Sequence, residues 1–295
     1  MRSKAQAAQQ DMVITEFLVD ADTLNYKACW ATNDKGEDEA RGALYTIING
    51  LFLRLEKHLY TKTQRDKGLR LNVFDLIKRG KCKFYLTSND KTNFRFKIAT
   101  IQEYKNSRGE KPKHYEFVRR VLIDKFNAEV VSGMEADDML AIKASEDPEH
   151  SVIIGEDKDA RQTRCWHYWH EAVAEFNKPP YFVDSPGSIL LHRRNGAYHV
   201  FATGEYQLAY QMLDGDSSDT IPGIEKGWGP LKCYQFLVGD KHKEATLLPL
   251  ERVYREYLEV HGRIPGDIRY TEIKTLLTML DRPVSKIAVE HQQNG

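Results

Sequence analysis

Short apolar, β-branched runs alternate along the chain with longer stretches whose apolar positions recur every three to four residues. ITEFLVDAD (14–22), KCKFYLT (81–87), AEVVSG (128–133) and SVIIG (151–155) predict strands. ARGALYTIINGLFLRLEKHL (40–59), HYEFVRRVLIDKF (114–126) and MEADDMLAIKASE (134–146) predict amphipathic helices. Strands alternating with helices imply an α/β fold with a mostly parallel sheet flanked by helices. After Pro186 the pattern changes: SILLHRRNGAYHVF predicts a hairpin turning at Asn195-Gly196, and the remainder is helical with Gly-rich turns. The expected organisation is a polar tail over 1–12, an α/β domain over 13–185 and a mainly helical region over 186–295, without internal repeats.

Composition changes this picture little. A chain of 295 residues with 41% hydrophobic and 11% aromatic residues can bury a sizeable core. No apolar run approaches the roughly 20 residues of a membrane span, and MRSKAQAAQQDM lacks the hydrophobic stretch of a secretory signal. Cys29, Cys82, Cys165 and Cys233 lie far apart with no CxxC pair, which argues against a zinc ribbon and against a disulfide scaffold. A reducing, cytoplasmic setting is expected. CWHYWH, with Cys165, His167 and His170, is half a zinc site without a partner pair and reads as strand surface.

Charge changes more. The formal net charge is zero, from 43 Lys+Arg and 43 Asp+Glu, and as an average it disfavours a nucleic-acid partner. Yet residues 54–120 carry 19 Lys/Arg against 7 Asp/Glu, and residues 129–159 carry 10 Asp/Glu against 2 Lys. Two solvated helix faces would give this pattern. So would a basic stretch holding an anionic polymer beside an acidic one holding a cation. Composition does not choose between them.

The placement of the carboxylates bears on that choice. The predicted strands deliver acids at their C-terminal ends, where open parallel sheets bind ligands. Asp20 ends the first, with Asp22 two residues on and on the same side if extended. Asp90 follows the second, and Asp157 and Asp159 follow SVIIG. Glu135, Asp137 and Asp138 fall in the first turn of a helix. Each has an ordinary alternative: Ser132-x-x-Glu135 fits a capping box, Asp137 and Asp138 suit a helix dipole, and the others suit turns. Their convergence is what these alternatives leave unexplained. Two carboxylates about 4 Å apart repel by about 1 kcal/mol in water, and by several times that when partly buried. Oxygen donors without His or Cys point to Mg²⁺ or Mn²⁺ rather than zinc. Two such ions can stabilise both attacking and leaving oxygens in phosphodiester cleavage, so the spacing reads as a metal nuclease site. Downstream, MLDGDSSDTIPGIEKGWGP sets Asp216 and Asp219 at i, i+3 and punctuates a turn with Gly223, Gly227 and Gly229. Such a turn exposes N–H groups to a DNA phosphate or carbonyls to a monovalent cation, or is simply a solvated loop.

VDAD, NFR, EYKNSR, GMEADD, IIGEDKD and GDSSDTIPGIEKGWG occur in the order found in the flap endonuclease/5′-nuclease superfamily, and the chain resembles that superfamily over about residues 15–240. Among its members the free-standing exonucleases of short-tailed phages are the most similar in pattern. The resemblance implies a PIN-like α/β core, a basic helical arch over about 92–115 and a helix–three-turn–helix over about 206–240. It implies that Asp20, Asp90, Glu135 and Asp137, with Asp138 beside them, hold one metal ion, and that Asp157, Asp159, Asp216 and Asp219 hold a second. Arg95, Lys105 and Arg108 match basic arch positions that contact the scissile phosphate and the 5′ strand. Tyr104 matches an aromatic that stacks on a base. Gly223, Gly227 and Gly229, with Lys232 beside them, match the hairpin that grips duplex backbone and in many members binds K⁺. Ala21 stands where a glycine usually follows the first aspartate, and GIEKGWG is one residue longer than the common GIxGxG.

The activity so implied is structure-specific 5′-nuclease action on DNA: 5′→3′ exonuclease, 5′-flap endonuclease or both, by two-metal hydrolysis leaving a 5′-phosphate. The implied substrate is DNA with a free 5′ end or a duplex/single-strand junction, with RNA–DNA hybrid as an extension; the implied state is a monomer away from membranes. Two other readings share parts of the pattern. One is a non-catalytic, structure-specific DNA-binding module, which Mg²⁺ titration on a flap substrate would separate. The other is a PIN-type ribonuclease, which seldom carries the glycine hairpin.

Overall fold

The central strand of the structure, a computed structural model describing residues 13–90, 92–106, 109–168, 178–239 and 247–282, is β1 (Glu16–Asp20). Its neighbours are β2 (Cys82–Thr87) on one side and β4 (Ser151–Ile154) on the other, both parallel to it. β3 (Glu129–Val131) extends the sheet beyond β2, and β5 (Trp166–Tyr168) beyond β4. β6 (Tyr181–Phe182) closes the order β3-β2-β1-β4-β5-β6 as an antiparallel edge. Chain direction along the sheet reverses at β1, so the space beyond the carboxyl ends of β1 and β4 is the place where such sheets accept ligands.

Both faces of the sheet are covered, which is why its inner strands read as unbroken apolar runs. Successive side chains of β1 part company. Phe17 and Val19 enter a core with Phe84, Leu86, Val152 and Ile154. Leu18 faces the opposite core with Tyr85, Ile153 and Leu140. The first core is roofed by α1 (Ala21–Trp30), α2 (Glu37–Leu59) and, past the short α3 (Lys62–Asp66) that buries no residue, by α4 (Val73–Lys78) and, beyond the four-residue α5 (Arg95–Ile98), by α6 (Tyr115–Phe126). α7 (Ala136–Glu146) roofs the second.

The hairpin predicted after Pro186 forms from β7 (Ile189–Arg194) and β8 (Ala197–Ala202). Asn195 (φ 51°) and Gly196 (φ 82°) turn it, the left-handed pair that a two-residue hairpin requires. Beyond lie α8 (Glu205–Asp214), the paired β9 (Gly215–Asp216) and β10 (Ile221–Pro222), then α9 (Pro230–Val238), α10 (Pro249–His261) and α11 (Arg263–Leu277). These helices share a third core with Trp228, Tyr257 and Leu276. Tyr104, from the basic segment, is buried in that same core, with Ile98 and Ala99 packed against it. The region after residue 240, which has no motif of its own, thus covers the segment on which the basic arch was expected. The tail 1–12, Arg108 and His170 lie outside the described residues. Among the described residues no helix is long and apolar enough to cross a membrane.

Candidate functional site

β1 ends at Asp20 because the chain turns directly into α1, and Asp20 caps that helix by accepting the Thr23 N–H (3.1 Å) and the Thr23 hydroxyl. Asp22 therefore lies in the first turn of a helix rather than on an extended strand. Its carboxylate accepts the Thr87 N–H at the end of β2 (2.9 Å). The second sheet neighbour, β4, is followed by Gly155, where a side chain would come within 3.2 Å of Asp20 Cβ. Glycine there lets the β4 exit, with Asp157 and Asp159, run close to β1. The Asp159 N–H is donated to Asp157 Oδ1 at 2.8 Å, which fixes that turn.

The carboxylates on these strand ends feel one another. Burial, then the charge of Asp22, raises Asp20 to about 7. Burial also raises Asp22, and it raises Asp137 well above the carboxylate range, reinforced by Asp20, Asp157, Glu135 and Asp22. Burial followed by Asp157 and Asp216 does the same to Asp159. Asp219 is raised by burial against the pull of Lys105. Burial works upward on Asp216 too, but the Ser218 hydroxyl and the Lys158 ammonium outweigh it and leave that acid below its ordinary value. Two overlapping groups result: Asp20, Asp22, Glu135, Asp137 and Asp157, then Asp157, Asp159, Asp216 and Asp219.

Lysines counter part of this charge. Lys105, with a left-handed backbone (φ 54°), donates to Glu135 and reaches Asp219 at 3.3 Å. Lys158 lies 3.0 Å from Asp216. The balance is incomplete: Asp137 Oδ1 and Asp22 Oδ1 are buried without a hydrogen-bond partner among the described residues. An unsatisfied buried carboxylate oxygen among raised acids is the donor chemistry that a hard cation such as Mg²⁺ satisfies. Among the described residues, no three Asp, Glu, His or Cys side chains already converge on a single coordination point. Glu135, Asp137, Asp159 and Asp219 line the walls of one cleft, and Lys105 pairs with Glu135 and Asp219.

Four expected roles are corrected by the structure. Asp138 is fully buried and gripped by both terminal nitrogens of Arg95 at 2.5 and 2.8 Å; it also accepts the N–H groups of Glu135 and Leu280. With its lone pairs so used, it is a structural counter-ion rather than a metal ligand. Arg95 is 3% exposed and further donates to the carbonyls of Leu276 and Thr278, so its guanidinium is committed to partners within the protein even though the residue borders the cleft. Tyr104 is also 3% exposed, with its hydroxyl on Asp219 Oδ2 (2.9 Å), which removes it from base stacking. Asp90 is exposed at the turn after β2, held by Thr92 and Ser132, and Thr92 draws it down to about 2. It stands outside the mutually interacting set because the chain turns away after Thr87. The expected capping box also shifts. Glu135, not Ser132, is the N-cap of α7, and Asp138 caps it in return (3.1 Å).

The glycines of the expected hairpin divide. A side chain at Gly223 would meet Leu213 O at 2.4 Å, so that glycine serves the close pairing beneath. Gly227, at φ 90°, and Gly229 face open space. The carbonyls of Gly223 and Ile224 accept from Arg269 (3.3 Å) and His261 (2.8 Å), which ties this turn to α10 and α11. Lys232 lies over the Trp228 ring at 4.1 Å. The half-site Cys165 and His167 is buried, with His167 Nε2 on the Thr163 carbonyl at 2.8 Å and burial lowering the imidazole to about 4.

The sequence reading placed no role on Gln211, Gln162, Arg119 or Glu272, all of which bear on the cleft or on the segment beside it. Arg119 Nη1 lies 3.8 Å from Asp22 and is itself buried without a hydrogen-bond partner among the described residues. The one available signal was polarity on an apolar face: Gln207 and Gln211, four apart on α8, are both buried.

No protein family model matches the chain, and no curated protein matches its sequence. Among solved structures, the T5 D15 protein co-crystallised with metal ions is 13% identical, with a TM-score of 0.51 over 89% of each chain. A lysine-to-alanine mutant of T5 5′-exonuclease is 14% identical with a TM-score of 0.45, over 88% of this chain and 83% of that one. An aspartate-to-lysine form of bacteriophage T5 D15 flap endonuclease, in a pseudo-enzyme–product complex with DNA and metal ions, is 14% identical with a TM-score of 0.43, over 88% of this chain and 98% of that one. At such identity it is architecture that is shared: this chain has the fold of the T5 D15 protein.

Proposed function

We propose that the chain is a divalent-metal-dependent, structure-specific 5′-nuclease acting on DNA. The observation that carries this is the set of carboxylates Asp20, Asp137 and Asp159, each raised by burial and neighbouring acids beyond the carboxyl ends of β1 and β4, with Asp137 Oδ1 buried without a hydrogen-bond partner among the described residues. The fold shared with T5 D15, a protein crystallised with metal ions, supports the same reading. Asp20, Asp22, Glu135, Asp137 and Asp157 would hold one cation, and Asp157, Asp159, Asp216 and Asp219 a second. Mg²⁺ or Mn²⁺ bound there supplies the charge neutralisation and water activation that phosphodiester hydrolysis requires.

The chain's own groups do the rest. Lys105, paired with Glu135 and Asp219, would meet charge developing on a phosphate. The exposed turn at Gly227 and Gly229, with Lys232 on the next helix, offers backbone and ammonium to duplex phosphates without reading sequence.

Cleavage of 5′-labelled flap and duplex substrates tests this. Wild-type protein should release 5′-phosphorylated product in Mg²⁺ and none in EDTA. Asp157→Asn with Asp159→Asn should lose cleavage by at least about 100-fold while still binding the substrate in Ca²⁺. Mg²⁺-dependent cleavage surviving in that variant would overturn the assignment.

A further inference from the structure

Two glutamines connect the cleft to the far end of the chain. Gln211, 1% exposed on α8, directs Nε2 at Asp159 Oδ1 (2.6 Å) and, more distantly, at Asp216 Oδ2 (3.4 Å). Its Oε1 accepts from Gln162 Nε2 at 3.0 Å. Gln162 donates from the same nitrogen to the Leu277 carbonyl (2.9 Å), while its Oε1 accepts the Met279 N–H (3.1 Å).

The polarity of this relay is dictated by groups that cannot be turned round. A backbone N–H only donates and a carbonyl only accepts, so Met279 and Leu277 settle which end of the Gln162 amide is oxygen. The remaining Gln162 N–H then points at Gln211, which must answer with its oxygen. That leaves the Gln211 amino group facing Asp159 and Asp216. Reversing either amide would set oxygen against oxygen within 3 Å or nitrogen against nitrogen, and neither pair can form a hydrogen bond.

We infer that Gln211 is a positioning residue for the second carboxylate group, turned to that task by Gln162 and by the backbone of the C-terminal segment after α11. This rests on reading the cleft as a metal site. A neutral donor suits the place. It orients two acids that repel each other and, unlike Lys158 beside Asp216, brings no positive charge to compete with a cation. Leu276, Leu277 and Met279 also line the cleft beside Glu135, Asp137 and Asp159, so the C-terminal segment reaches the site directly as well as through the amides.

The test is calorimetric titration of Mn²⁺ into the full chain without DNA, for wild type, Gln211→Met, Gln162→Met and the double variant. Each single change should weaken Mn²⁺ binding by about 10-fold, the size of effect typical for groups that orient metal ligands. The double variant should bind no worse than Gln211→Met, because Gln162 reaches the acids only through Gln211. Wild-type affinity in Gln211→Met, or single effects that multiply in the double variant, would overturn the relay. If Gln211→Met does not fold, as judged by its unfolding transition in EDTA, Gln162→Met decides alone, and unchanged affinity there overturns the relay. A wild-type chain that binds no Mn²⁺ removes the metal reading and the proposal together. A wild-type chain that binds Mn²⁺ beside unaffected variants removes only the proposal.

Discussion

Asp20 caps α1 and at the same time faces Asp22; burial, then the charge of Asp22, outweighs the capping hydrogen bonds from Thr23 and raises its carboxyl to about 7. The sign of its effect on stability follows. An unfolded Asp titrates near 3.9, so between about pH 4 and 7 the folded chain retains a proton that the unfolded chain has lost. Stability contributed by this group falls across that window as pH rises. Asp22, Asp137 and Asp159 are raised as well and act in the same direction. His167, lowered to about 4 by burial, acts oppositely, but it is bonded to Thr163 rather than to these acids and contributes alike with and without metal. The gain in Tm on replacing EDTA by excess Mg²⁺ should therefore grow from pH 5 to 7.5 in scanning calorimetry; a gain that shrinks with pH contradicts the cluster. Asp138 invites a different expectation. Breaking its buried pair with Arg95 by Asp138→Ala should cost about 3–5 kcal/mol in urea unfolding in EDTA. A side chain that served only as a metal ligand would cost nothing under those conditions.

Elements whose signal is local were legible in the chain. The strand runs, the long amphipathic helix ending at Leu59 and the Asn195-Gly196 hairpin form within a few residues of their predicted bounds, since periodicity and turn chemistry are short-range properties. α1 was missed because its ten residues begin at Ala21, directly after the residue that ends β1, and so Asp22 was placed on an extended strand when it belongs to a helical turn. The raised acids at Asp20, Asp137 and Asp159 were named from sequence; the uses of Arg95, Tyr104 and Asp138 were misread. Their partners explain the misreading: Arg95 meets Leu276 and Thr278, and Tyr104 meets Asp219, contacts that no local pattern encodes. The same holds for α11. Glu272, 9% exposed, accepts the N–H groups of Thr100 (2.6 Å) and Ile101 (2.8 Å) and the Thr100 hydroxyl, anchoring the backbone four residues before Tyr104 and Lys105. Glu272→Ala should lose about 2–3 kcal/mol in urea unfolding, the value of hydrogen bonds to a charged acceptor, whereas Glu272→Gln, which keeps one acceptor oxygen, should lose less. Equal losses would mean that the carboxylate merely fills space.

On the scale of the whole molecule the zero net charge is a sum over a cleft that concentrates one sign. Without cations the carboxylates of that cleft oppose a phosphodiester backbone, and the 19 basic residues over 54–120 must act against them. Two divalent ions would add four positive charges where DNA must approach most closely, and fields of this kind act over about 10 Å at 0.1 M salt. Two consequences can be separated by fluorescence anisotropy on a 5′-overhang duplex at constant ionic strength. Wild type should bind at least about 10-fold more tightly in Ca²⁺ than in EDTA, a difference of about 1.4 kcal/mol. In EDTA the Asp157→Asn, Asp159→Asn variant should bind more tightly than wild type, because acidic groups opposing the backbone are gone and no metal remains to be lost. That ordering is the reverse of what simple damage to a DNA-binding surface would produce. If the variant binds more weakly than wild type in EDTA, the acids contact DNA through hydrogen bonds of their own, and the electrostatic account of the neutral chain fails at its centre.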